Sequence, residues 1–242
     1  MQLLLDIISK PKLRYFFLHL SCSLLVGLTL LAFVFFIWYP VPLAKAEGVT
    51  HIFLMLLAID VTLGPILSLL VYKEGKKTLK MDLAIIILIQ LSAMLYGLYS
   101  ITQSRPVWIV QNGDIFQMVR ANAILPEDQK DAKPEYQTNS WMGPQWVAAD
   151  HRHPQYKNYV EQTLVPNVYT ALSDAKQRIQ RNAQQLDALN TFNDSAQVQQ
   201  VLKQYPNATA WMPLRTTGLG LVVLLDQQQN VVATVDLRPW QE

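Results

Sequence analysis

Asp60 is the residue whose chemistry is most out of place. It stands in LLAIDVTLGP, residues 56–65, within a long apolar run. A carboxylate in hydrocarbon is costly and marks a packing contact, a partner or a proton-handling site. A second carboxylate, Asp82, lies near another apolar run, and two carboxylates sharing a proton would make an intramembrane aspartyl protease. Asp150, His151 and His153 are the remaining ligand-like group, but three adjacent loop residues rarely converge on one metal without help from elsewhere. Cys22 is the single cysteine and sits in an apolar run, where it reads as a small buried hydrophobe. There is no glycine-rich phosphate loop and no nucleophile elbow. No catalytic residue, metal or cofactor is expected, and no small-molecule substrate.

The elements that position Asp60 are three apolar stretches of membrane-spanning length, about residues 15–39, 50–72 and 82–101. The first follows Lys10, Lys12 and Arg14 and precedes Ala44-x-Ala46, which resembles a signal peptide and its cleavage site. Its apolar core exceeds the ~7–15 residues of a signal peptide, so an uncleaved anchor is expected. At ~1.5 Å per residue, Asp60 lies ~14 Å from His51 and ~18 Å from Tyr72, near the bilayer midplane. Asp82 is at the end of its span, which counts against a protease.

Reading by fours places Asp60, Gly64 and Ser68 on one face of the second span, with Pro65 bending the helix beside them. Gln90, Ala93 or Met94, Gly97 and Ser100 share a face of the third, and His19, Ser23 and Gly27 a face of the first. Small residues let helices approach closely. Asp60, Gly64, Ser68, Gln90 and Gly97 therefore form either the packing seam of a three-helix bundle or a groove for a fourth helix. Both readings stay open. Lys73, Lys76, Lys77 and Lys80 follow the second span, against Lys45 alone after the first. Positive charge stays in the cytoplasm, so the N-terminal segment, residues 1–14, is expected inside and everything after Ile101 outside. Trp38, Tyr39, Tyr72 and Tyr99 lie at span ends, where amphipathic rings favour the interface.

Composition agrees with this division. Of the 242 residues, 51% are hydrophobic. Residues 1–104 carry a net charge of +3 and the remainder −1. No polybasic tract is present, so nucleic acid is not an expected partner. PVWIVQNGDIFQMVRA reads as a hairpin about Asn112-Gly113, and LGLVVLLDQQQNVVATVDL as two strands about residues 227–230. Residues 121–153 read as an irregular connection. Helices are expected in residues 154–164, in 167–189 on Leu172, Ile179, Leu186 and Leu189, and in 194–205. Residues 102–242 thus form an α+β domain, on which Trp141, Trp146, Trp211 and Trp240 are either core or a recognition surface. Asn193 and Asn207 head N-glycosylation patterns, which matter only in a compartment that glycosylates.

Residues 38–91, followed by YGLY and RPVWIV, resemble the type IV pilin accessory proteins of the TfpX/TfpZ family. The motifs are Trp38-Tyr39-Pro40, Gly48-Val49-Thr50-His51, Asp60-Val61-x-Leu63-Gly64-Pro65 and Lys76-Lys77-x-Leu79-Lys80. The resemblance implies a membrane protein of the Gram-negative inner membrane, with a three-helix transmembrane bundle followed by a periplasmic α+β domain. It also implies a non-enzymatic chaperone or assembly role toward the major type IV pilin, with membrane lipids as the other partner. A periplasmic sensor is the competing class. The expected cytoplasmic parts are too small for an output domain, so a sensor would need a partner.

Overall fold

A computed structural model describes residues 10–158 and 161–241. The chain divides into two compact units. The first holds the leading helix up to Val34 together with Thr50–Thr102, and the second holds Phe35–Val49 and the chain from Gln103 onward.

The first unit begins with α1 (Lys10–Phe33), and the π-helical turn that follows, Val34–Trp38, passes into the second. Farther along lie α3 (Val49–Val71) and α4 (Leu79–Ser104). All three are long and apolar enough to cross a membrane. α1 begins before the expected residue 15, and α4 exceeds 82–101 at both ends, because helix continues through the polar flanks. Of the N-terminal segment 1–14, residues 1–9 lie outside the described residues, and Lys10 to Arg14 are helical. The start of α4 is fixed by polar chemistry. Thr78 Oγ1 donates to Asp82 at 3.1 Å, and Lys76 pairs with the same carboxylate at 2.6 Å. An acidic residue in the first turn also suits the positive end of the helix dipole. α3 stays helical through Pro65. Leu25, Leu70, Leu88 and Leu95 are each at least 60% exposed. A surface of that kind is unfavourable in water and at home in lipid.

The second unit is built on one mixed sheet. Its strands are β1 (Pro106–Asn112), β2 (Ile115–Arg120), β3 (Gln145–Ala149), β4 (Tyr169–Ala171), β5 (Gln184–Gln185), β6 (Ala210–Arg215), β7 (Leu221–Leu225) and β8 (Val231–Val235). The order is β4-β3-β1-β2-β6-β7-β8, with β5 pairing the start of β6. The β1–β2 hairpin turns at Gly113, whose φ of 65° is one that glycine adopts freely. β7 is buried along its length because both its faces are covered. Leu221, Val223 and Leu225 enter a central core with Ile109, Phe116 and Met212, while Val222 and Leu224 meet Leu189, Val198 and Trp211. The sheet curls until Trp146 of β3 and Val231 of β8 line one cavity of about 330 Å³.

Several expectations are corrected here. The connection 121–153 contains α5 (Pro126–Lys130) and the whole of β3, which pairs parallel to β1. Residues 154–164 form only 3₁₀ turns at Tyr156–Asn158 and Gln162–Leu164, and Val160 lies outside the described residues. Within 167–189 the α-helix is limited to α6 (Lys176–Asn182). Its neighbours are β4, β5 and 3₁₀ turns, since pairing with β3 and β6 takes the flanking residues out of the helix. α7 (Ser195–Leu202) matches expectation, capped by Asp194, whose side chain accepts from the N–H groups of Ala196 and Gln197.

The segment joining the first two spans is not a surface loop. It contains a short helix, α2 (Leu43–Ala46), and both Leu43 and Ala46 belong to the central core of the second unit. Leu219 N–H donates to Ala46 O at 3.0 Å. Ala44 and Ala46, which resemble a cleavage site in the sequence, are 5% and 2% exposed. Trp38 and Tyr39, expected at a lipid interface, are 3% and 0% exposed, and Tyr39 hydroxyl meets Ser104 Oγ at 3.4 Å. Burial pushes the Tyr39 phenol above its ordinary range.

Candidate functional site

Three helices of the first unit enclose an open cleft of about 250 Å³. The first span contributes His19, Cys22, Ser23 and Gly27, the second Leu57, Asp60 and Val61, and the third Ile87, Gln90 and Met94. The lining is mostly apolar, with a few polar groups converging on it, the usual composition of a binding cleft.

The expected site residues take two different places. Asp60 and Gln90 line the cleft. Gly64, Ser68 and Gly97 are buried in helix contacts. Gln90 packs across Gly64 so closely that a Cβ there would lie 2.0 Å from its side-chain amide. In that position Gln90 Nε2 donates to the backbone carbonyl of Asp60 at 2.8 Å. A Cβ at Gly97 would lie 2.6 Å from Leu56 Cδ1. Ser68 is fully buried and its hydroxyl meets His19 Nδ1 at 2.7 Å. The glycines and the serine therefore hold the helices together, and Gln90 is the residue that serves both seam and cleft.

The Asp60 carboxylate itself has no hydrogen-bond or ion-pair partner among the described residues. Its neighbour takes the main-chain oxygen instead. Asp82 does not line the cleft, and it is occupied by Lys76 and Thr78. No shared-proton pair of the protease kind therefore forms between the two. His51 is exposed at the start of α3, Lys77 lies in the turn before α4, and Lys80 lies within its first turn.

In the second unit the three ligand-like residues of the sequence are separately engaged. Asp150 accepts from Arg152, and His151 Nε2 meets Asn112 Oδ1 at 2.9 Å. His153 Nδ1 accepts from Gln155 N–H. Among the described residues no group of three or more His, Cys, Asp and Glu converges. Asn193 is structural, bonding Leu189 O and both backbone groups of Arg238. Trp211 is core, Trp146 packs on Phe116, and Trp141 is 59% exposed.

One structural cluster is unmarked in the sequence. Glu47, whose side chain is fully buried, accepts from Arg120 Nε at 2.7 Å and Nη2 at 2.5 Å. It also accepts from Thr217 N–H at 2.9 Å and Oγ1 at 2.8 Å. This clamp ties the segment between the first two spans to β2 and to the loop before β7. Nothing local announces it, because its members are separated by up to 170 positions.

A family model described as Fimbrial assembly protein FimB matches residues 9–48, a range that takes in the first span and most of the buried segment after it. Two fimbrial assembly proteins of Dichelobacter nodosus, of serogroup E1 and serogroup I, are each 28% identical to the chain. Each match covers 91% of this chain and 93% of the relative. The fimbrial assembly protein of serogroups C1 and C2 from the same organism is 35% identical, across 48% of this chain and 89% of its own length. No solved structure matches the chain. The names of these relatives speak of assembly rather than catalysis.

Proposed function

The chain belongs to the fimbrial assembly protein family, and from that premise we propose that it is an inner-membrane accessory protein for the major type IV pilin. In this reading it stabilises the pilin before polymerisation, as the likeness to the TfpX/TfpZ pilin accessory proteins implies. It holds the pilin's transmembrane helix in the cleft and its head against the periplasmic domain. The observation that carries the reading is the cleft with an unpartnered Asp60 carboxylate at its wall. A polar group in hydrocarbon is stabilised by a partner, and the described chain supplies none. Two weak contacts on one chain, in the membrane and outside it, reinforce each other through effective concentration.

The test is in vivo photocrosslinking from Ser23 or Met94, which line the cleft, rather than from Gly64, which Gln90 fills. The expected product is a covalent adduct with the major pilin. Crosslinking to lipid alone, in cells where pilin is abundant, would remove the cleft from the proposal.

The orientation has its own support. Phe35–Val49 and the chain from Gln103 onward make one compact unit, so both belong on the same side of a membrane. The lysine-rich turn of Lys73, Lys76, Lys77 and Lys80 then lies opposite, where the positive-inside rule puts it. Alkaline phosphatase fused after Asp150 should be active and the same fusion after Lys77 inactive. Reversed activities would invert the topology.

A further inference from the structure

The second unit carries a cluster of exposed large apolar side chains that its own core does not use. Phe36, Val41, Trp141 and Met142 are 80%, 86%, 59% and 77% exposed. These residues are not on loose chain. Trp38 Nε1 donates to Trp141 O at 3.1 Å, and the two indole rings are 6.0 Å apart. The Arg105 guanidinium lies over both rings, 4.3 Å from the centre of Trp141 and 5.8 Å from that of Trp38. Gly143 follows with φ at 93°, and a Cβ there would lie 2.8 Å from Ile37 O. The backbone is thus fastened, while the apolar tips point outward. In water such a surface is unfavourable, and it marks a contact.

What covers it follows from where it is fastened. Trp38 is the last residue of the membrane-spanning stretch Pro11–Trp38, and Phe36 lies inside that stretch. A ring 6.0 Å from Trp38 is therefore at the depth where hydrocarbon gives way to headgroups. Indole, thioether and a stacked guanidinium are chemically suited to that layer. Val41 follows that stretch within a single helical turn's length of chain, and both Phe36 and Val41 are exposed. We propose that Phe36, Val41, Trp141 and Met142 form a lipid-interfacial foot, through which the second unit rests on the outer leaflet of the bilayer. The proposal depends on the membrane reading of the three long helices.

The test uses the full-length protein in vesicles of phosphatidylethanolamine and phosphatidylglycerol, with no other protein present. An environment-sensitive fluorescent amino acid is placed at Met142 and, separately, at Gln228, an exposed turn residue. The expected result is quenching of the Met142 probe by lipids nitroxide-labelled near the headgroup, several-fold stronger than at Gln228, with matching protection from aqueous iodide. Equal iodide quenching at both positions, in protein that resists an alkaline carbonate wash, would overturn the foot and leave the spans intact. Release of the protein by the wash would overturn both. Shielding of Met142 only after pilin is added would also overturn the foot, by assigning the patch to a protein contact.

Discussion

Glu47→Ala is expected to destabilise the second unit by about 3 kcal/mol, near the lower end of the cost of breaking a buried ion pair. The lower end applies because the Arg120 side chain is 31% exposed and recovers some hydration. The loss is large because one carboxylate satisfies Arg120 and both donors of Thr217. For a unit of this size the melting temperature should fall by about 6–12 °C, read by tryptophan fluorescence in detergent. Lys45→Ala provides the contrast. Lys45 pairs with Asp236 at 2.5 Å, but its side chain is 66% exposed, so less than about 1 kcal/mol is expected. Arg120→Ala should match Glu47→Ala, and the double variant should cost less than the two together, because the partners share one interaction. Equal melting of Glu47→Ala and Lys45→Ala would show that the clamp contributes nothing.

Gly64→Leu is expected to abolish piliation while the protein still inserts. Even a Cβ at this position would lie 2.0 Å from the Gln90 amide. Gln90 would leave Asp60 O, and a leucine would occupy the seam between α3 and α4. Gly64→Leu/Gln90→Ala should recover part of the loss, since it restores space but not the hydrogen bond. Asp60 separates the chemistry from the packing. Asp60→Leu fills the cleft wall with hydrocarbon and should be as harmful as Gly64→Leu. Asp60→Asn keeps the shape and hydrogen-bonding capacity, and an interhelical hydrogen bond in a membrane is worth only ~0.6–2 kcal/mol. It should therefore be nearly silent. Pilin level and surface pili, counted in cells with confirmed membrane protein, decide the matter. Loss of pili in Asp60→Asn would mean that the carboxylate meets a cation on another chain.

The three long helices and both terminal hairpins were legible, because long apolar runs and an Asn-Gly turn between β-rich stretches are local signals. β3 was not. QWVAA is five residues long, follows Gly143-Pro144, and becomes a strand through parallel pairing with β1. β6 was hidden by Pro213, which argues against an interior strand. The sheet accommodates it because β5 pairs β6 only as far as Trp211, while β2 resumes at Leu214. Pro213 thus falls in a gap along that edge. In the cleft, period-four reading found the faces of the three spans but not the division of labour. That Gly64 receives Gln90 while Asp60 stays open depends on how α3 and α4 meet, which neither helix encodes alone. Glu47 was invisible for a related reason: its partners come from the far end of the chain.

The assembly of the second unit from two separated stretches also imposes an order on biosynthesis. Phe35–Val49 leaves the ribosome well before Gln103, and the two long helices α3 and α4 come between them. The early piece cannot bury Leu43 and Ala46, or engage Glu47, until the later piece has been delivered to the same compartment. In the proposed topology, failure of one of the intervening helices to insert would leave the two pieces on opposite faces of the bilayer, where the fold cannot close. Under that topology a closed second unit records that the crossings were made, and an unclosed one leaves Leu43 and Ala46 of α2 without their core.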